Sequence, residues 1–136
     1  MARATGQGIE VLAITDHDTT DGLPEALDEA QKRHIRVVSG VEISTLSKRE
    51  EIHLLGYFVD LDNPELQDLL TRTRKARWER AQKMLARLEE LGLPVQWERL
   101  LELSGGGGSI GRPHVAMSLL DAGHVTTWEE AFQRWI

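Results

Sequence analysis

The chain has 136 residues, enough for one domain with a real core but small for a closed barrel. Its formal net charge of −6 argues against a general nucleic-acid or membrane-surface binder, whose electrostatic footprint would be basic. With no cysteine, neither a disulfide framework nor a thiolate metal site can form, so any metal must be held by His, Asp or Glu.

The first apolar run, IEVLAI (9–14), is short, β-branched and followed by turn residues, which predicts a strand buried on both faces. Residues 22–33 read as a helix with Asp21 as N-cap, Pro24 in the first turn, and Leu23, Ala26, Leu27 and Ala30 on the inner stripe. IRVVSGVEIS (35–44) is a second strand. Strand, helix and strand in so short a span make a βαβ unit, with parallel strands whose C-terminal ends share one edge. Open α/β sheets and βα barrels place their active sites on that edge.

A third apolar segment, IHLLGYFVD (52–60), reads as another strand, reached through the charged loop TLSKREE. The period then becomes helical from Pro64 to Leu91, with Leu66, Leu69, Leu70, Thr73, Ala76, Met84, Leu88 and Leu91 recurring at threes and fours, as one long helix or two. Gly92 and Pro94 stop it, and QWERLLELS (96–104) is a further helical turn or two. GGGG (105–108) reads as a flexible hinge or disordered loop. A helix from Pro113 to Ala122 ends at Gly123, and Thr127 caps a last one. Residues 1–62 are therefore βα in character and residues 63–136 helical, with no internal repeat. No run reaches membrane-spanning length and residues 1–8 lack the apolar core of a signal peptide, which predicts a cytoplasmic protein with no membrane partner.

Three potential ligands fall at comparable places. His17 lies just after the first strand, Glu42 near the end of the second, and His53 near the beginning of the third. Imidazole and carboxylate without sulfur suit a hydrolytic divalent metal with open positions for water. Taken singly, His17 reads more readily as a surface turn histidine beside the turn formers Asp16, Asp18, Thr19, Thr20 and Asp21, and Glu42 as an exposed strand-end residue; it is their convergence on one sheet edge that favours a metal.

LAITDHDTTDG (12–22), followed by GVEIS (40–44) and EIHLLGYFVD (51–60), closely resembles the second and third conserved blocks of the PHP (polymerase and histidinol phosphatase) family of metal-dependent phosphoesterases. The resemblance implies that His17, Glu42 and His53 ligate a divalent metal (Mn, Zn, Fe or Mg), with Asp16 as a catalytic neighbour of His17. GRPHVA (111–116) and AF (131–132) resemble the helical insertion of the bacterial subgroup that acts on nucleotide and RNA phosphates. The fold implied is α/β, part of a distorted, TIM-like βα barrel over residues 1–62, with a mostly helical insertion over 63–136. The family's opening Asp-Leu-His-x-His block and its later histidine-proline and Asp-x-His blocks have no counterpart here. The expectation is thus a fragment of such an enzyme, a phosphoric ester hydrolase with an incomplete catalytic set that holds one metal, weakly.

Outside the ligand triad, Arg112 and His114 are the next candidates. Gly111 gives backbone freedom, Arg112 offers a bidentate fork for phosphate, and Pro113 starts a helix whose N-terminus favours an anion. Beside the resemblance this points to substrate phosphate binding; the bland alternative is a helix start with an exposed arginine. Arg72, Arg74, Lys75, Arg77, Arg80 and Lys83 spread around their helix, which reads as a solvated surface, with Arg77 and Arg80 as candidate RNA contacts. Trp78, Trp97, Trp128 and Trp135 are assigned to packing, and His34 and His124 to helix C-termini. The leading reading is a metal-dependent phosphoesterase acting on nucleotide or RNA phosphoesters such as a nucleoside 3′,5′-bisphosphate, with no DNA-specific binding and with strand edges open to self-association. The alternative from another class is a non-catalytic PHP-like binding or regulatory module.

Overall fold

Parallel pairing joins Val11 to Arg36 and runs to Ile14 and Ser39, so the βαβ unit forms as its pattern predicts. The computed structural model describes residues 1–47, 50–106 and 108–136. Its elements are α1 (Ala2–Gly6), β1 (Val11–Ile14), α2 (Leu23–Lys32), β2 (Arg36–Ser47), β3 (Glu50–Tyr57), α3 (Pro64–Glu90), α4 (Trp97–Leu103), α5 (Arg112–Asp121) and α6 (Trp128–Arg134). They are organised as two compact units, Met1–Thr73 and Arg74–Ile136.

In the first unit the sheet order is β1-β2-β3, with β1 parallel and β3 antiparallel to the central β2. Leu23 and Ala30 of α2, Ile35, Val41 and Leu70 are the buried apolar residues described in this unit. The helix ends as its sequence allows. His34 adopts a left-handed φ of 56° while Ile35 N–H donates to Ala30 O at 3.1 Å, the six-to-one bond of a Schellman cap. Three expectations are corrected. The N-cap of α2 is Gly22, not Asp21, and it makes no side-chain cap bond. β1 alternates exposed and half-buried residues instead of being buried on both faces, because nothing among the described residues covers Val11 and Ala13. The charged segment 45–51 is mostly strand: Thr45, Leu46 and Ser47 pair with Ile52, Glu51 and Glu50, while Lys48 and Arg49 lie outside the described residues. β-Branching and the partner strand outweigh local charge there. On β3, Ile52, Leu54, Leu55 and Tyr57 remain exposed, as does Phe58 just beyond it.

The second unit is helical. Ala81, Leu88, Leu100, Ile110, Val115, Ala116, Leu119, Val125 and Ala131 form one buried cluster, and Trp78 meets Trp97 edge to face at a centroid distance of 5.8 Å. The stretch from Pro64 is a single helix of 27 residues. Its inward positions here are Arg77, Ala81 and Leu88; Ala76, expected inside, is exposed. Gly92 and Gly123 end their helices as expected, with φ of 77° and 72°, values that a Cβ would strain; Gly105, read as part of a hinge, follows α4 with φ of 75°, and Gly107 of that GGGG run lies outside the described residues. Thr127 Oγ1 caps α6 by accepting from Glu130 N–H at 3.1 Å. No described helix is long and apolar enough to cross a membrane.

Candidate metal centre

The GVE segment of β2 owes each residue to a different constraint. A Cβ on Gly40 would stand 2.8 Å from Ile14 O and 3.0 Å from Gly56 O, main-chain atoms of both neighbouring strands, so only glycine lets the three strands approach here. Val41 is fully buried, and by strand alternation Glu42 projects from the opposite face. The β1–β2 register, interrupted at Thr15 and Asp16, resumes as an isolated parallel bridge between His17 and Glu42. Asp18 N–H donates to Glu42 O at 2.8 Å, and Glu42 N–H donates to Asp16 O at 3.0 Å. Antiparallel pairing of Ser44 with His53 then sets His53 diagonally across from Glu42 on that same face.

The three side chains converge as a result. Glu42 Oε1 lies 2.8 Å from His53 Nδ1 and 3.3 Å from His17 Nε2, and the two imidazoles meet edge to face at 4.5 Å between centroids. One donor atom from each of the three lies within 4.8 Å of the others. With bonds of about 2.0–2.2 Å to nitrogen and oxygen, neighbouring donors around a divalent ion stand roughly 3–3.5 Å apart, close to the 2.8 and 3.3 Å that separate Glu42 Oε1 from the two imidazoles. All three residues are accessible to a small ligand, His53 most so. Glu42 sits in the middle of β2 and not near its end, because β2 continues to Ser47.

Asp16 is exposed, its carboxylate turned to the 21–22 turn, where a Cβ on Gly22 would meet Oδ2 at 3.2 Å. It does not join the group of three. Two residues read only as parts of a turn and a strand prove central. Asp18 is completely buried at a left-handed φ of 54°, accepting from Ser44 N–H and from Ser44 Oγ–H at 2.9 Å each. A signal for it exists in retrospect: an acid directly after one candidate ligand and a hydroxyl two residues after another, on strands that must pair.

In the second unit Arg112 is exposed at the first position of α5, and His114 is half-buried one turn in. Gly111 N–H donates to His114 Nδ1 at 2.9 Å, so this ring caps the helix and can meet a ligand only through Nε2. Burial holds the His114 imidazole below its ordinary range, and the Arg77 charge adds to this. Arg77 was expected on a solvated surface; it is buried, with Nη1 3.4 Å from where a Gly111 Cβ would stand. The basic run around it gave no hint of which arginine turns inward.

Comparison with known proteins identifies the family and the fold. The PHP domain family model matches residues 1–136. The chain is 35% identical over 136 residues to the 5′-3′ exoribonuclease Rnm of Salmonella typhimurium, covering 98% of this chain and 46% of that protein. It is 34% identical over 134 residues to the 3′,5′-nucleoside bisphosphate phosphatase of Chromobacterium violaceum, covering 98% and 47%. An amidohydrolase structure from Chromobacterium violaceum, with bound sulfate and no metal, superposes with a TM-score of 0.90 at 34% identity, covering 98% of this chain and 47% of that one. A structure from Bifidobacterium adolescentis, assigned to the metal-dependent phosphoesterases, gives 0.88 at 32%, covering 98% and 47%. The chain thus spans about half the length of the relatives it matches.

Proposed function

We propose that this chain, which belongs to the PHP domain family, carries part of the centre of a metal-dependent phosphoesterase that hydrolyses nucleotide or RNA phosphoesters. The observation that carries the reading is the convergence of His17, Glu42 and His53 on one sheet face. Their nitrogen and oxygen donors suit Mn, Zn, Fe or Mg. When bound, such an ion supplies hydroxide near neutral pH and neutralises phosphoryl oxygens. Glu42 is the hinge of the arrangement, since one of its oxygens faces both imidazoles. Asp16 is proposed to handle a proton beside His17, and Arg112 and His114 to hold substrate phosphate. In favour of the substrate class, the relatives include an exoribonuclease and a nucleoside bisphosphate phosphatase, and the Chromobacterium neighbour holds sulfate, a tetrahedral anion of phosphate shape.

Three donors make a site for one ion of modest affinity. Titration of the chain with Mn²⁺ is expected to give one ion per chain, lost in His17→Ala and in Glu42→Ala. Two or more ions retained through exhaustive dialysis, or undiminished binding in His17→Ala, would sink the assignment. Hydrolysis of a nucleoside 3′,5′-bisphosphate by this chain should be slight, because one weakly held ion cannot both position hydroxide and neutralise the phosphoryl oxygens.

A further inference from the structure

Every backbone segment that carries one of the three ligands is tied to a single buried residue, Asp18. It directly follows His17. Its N–H donates to the main-chain oxygen of Glu42 at 2.8 Å. Its carboxylate accepts from both the N–H and the hydroxyl of Ser44, the residue paired across the sheet with His53. We infer that Asp18 is the positioning residue of the centre, a clamp that fixes the spacing of His17, Glu42 and His53 without touching the ion. This rests on the metal reading above and adds to it the residue that sets the ligand geometry.

The physical case has three parts. An ordinary strand continuation would send the side chains of residues 17 and 18 to opposite faces. The left-handed φ of Asp18 breaks that alternation and brings its Oδ2 to 3.9 Å from His17 Nδ1, too far for a hydrogen bond but on the same side of the chain. Aspartate and asparagine tolerate this backbone where most residues do not. Next, a fully buried carboxylate must be compensated by donors, and Ser44 provides two from one residue, an arrangement that fixes direction as well as distance. Finally, the β1–β2 ladder is broken at Thr15 and Asp16, so the bridge at His17 has no continuous ladder leading into it. The exit of β1 is held against β2 there by Glu42 N–H on Asp16 O just before His17 and by the bonds of Asp18 just after it, and only the latter reach on to Ser44.

The test compares wild type with Asp18→Gly, Asp18→Asn, Ser44→Ala and His17→Ala in the full chain, by Co²⁺ titration with its visible spectrum and by thermal melting without metal. Glycine keeps the left-handed backbone and removes the carboxylate; asparagine keeps the backbone and an acceptor for Ser44 N–H. Asp18→Gly should bind Co²⁺ at least about 10-fold more weakly, in the range seen when groups behind metal ligands are removed, with altered visible bands. Asp18→Asn should stay within roughly threefold of wild type, and Ser44→Ala should fall between them. A merely structural Asp18 would lower the melting temperature yet leave Co²⁺ affinity in the folded range unchanged. Asp18→Gly binding as tightly as wild type overturns the inference, and so does Asp18→Asn binding as weakly as Asp18→Gly, which would place the effect in the charge. Should Asp18→Gly not fold, wild-type affinity and spectrum in Ser44→Ala overturn it. If wild type binds no Co²⁺, or binds it equally well as His17→Ala, the metal reading fails instead. The clamp is then judged without metal, by NMR contacts between the His17 and His53 rings: they should be present in wild type and lost in Ser44→Ala, and their persistence there refutes it.

Discussion

Gly40→Ala tests whether the close approach of three strands is what places Glu42. The added Cβ would stand 2.8 Å from Ile14 O, 2.8 Å from Thr15 Cγ2 and 3.0 Å from Gly56 O. Carbon needs roughly 3.5 Å from such neighbours, so it must gain about half an ångström against main-chain atoms on both flanks at once. Relief toward one strand closes the gap to the other, and neither carbonyl can rotate out of its ladder. Overpacking of this kind costs about 1–3 kcal/mol, and the loss of glycine's freedom in the unfolded chain returns about 0.4–1 kcal/mol. The rigid two-sided contact places the cost at the upper end, for a net loss of about 2 kcal/mol. At about 4 °C per kcal/mol for a chain of this size, the melting temperature should fall by roughly 8 °C. Gly40 pairs directly with Tyr57, the sole tyrosine, while all four tryptophans lie in the second unit. Tyrosine signal therefore reports the perturbed sheet and tryptophan signal the helices. Gly56→Ala is the control, since its Cβ would meet nothing closer than Val59 Cγ1 at 3.4 Å. Equal tyrosine-monitored melts for the two variants would refute the steric argument, and a Gly40→Ala variant with wild-type Mn²⁺ affinity would separate strand spacing from the metal centre.

Arg112→Ala should weaken binding of a nucleoside 3′,5′-bisphosphate by about 1.5–3 kcal/mol, the worth of a charge-assisted hydrogen bond, and leave Mn²⁺ content unchanged; calorimetric titration with each ligand checks both halves. His114 has a folded pKa below its unfolded one, so the unfolded chain takes up the proton first as pH falls. Its contribution to stability is complete above about pH 7 and declines through the unfolded value near 6.5, and His114→Gln should flatten that decline in tryptophan-monitored melts. Glu130 is held below the usual carboxylate range by Thr126 N–H and the Thr126 hydroxyl, with Arg134 adding to them. The stability it provides is present above the ordinary glutamate value near 4.3 and lost as pH falls through its lower folded value, so Glu130→Gln should melt like wild type in strong acid and below it at neutral pH.

What could be read from the sequence was whatever depends on one segment at a time. The βαβ order, the glycine stops after α3 and α5, and the Thr127 cap all follow from local pattern, and the structure shows each of them. Where partners decide, local pattern misled. The segment 45–51 carries charges typical of a loop, yet pairing between β2 and β3 extends both strands into it. Asp21 offers better capping chemistry than Gly22, but Asp21 N–H turns back to Thr19 Oγ1 and the helix starts one residue later. Of the six basic residues expected around α3, the inward turn of Arg77 is set by packing that no periodicity encodes. The candidate donor types were legible because a chain without cysteine leaves only His, Asp and Glu to hold a metal. Asp18 was not, because a buried aspartate and a turn-forming aspartate are the same letter, and only the partner at Ser44 tells them apart.

That distinction bears on how the centre is built. A loop-borne site can change its donor spacing without disturbing the fold, whereas His17, Glu42 and His53 each sit at a paired position of the sheet. Donor spacing here is strand register. A slip of one residue between β2 and β3 would send Glu42 and His53 to opposite faces, since side chains alternate with a period of two. Anything that binds the three donors together therefore resists that slip, and anything that fixes the register prepares the donors. An ion at 100 times its dissociation constant would stabilise the first unit by about 2.7 kcal/mol through this coupling. Gly40, Asp18 and Ser44 work on the same coupling from the protein's side: they are not needed to supply donors, but they remove the alternative registers and spacings in which the donors would lie apart.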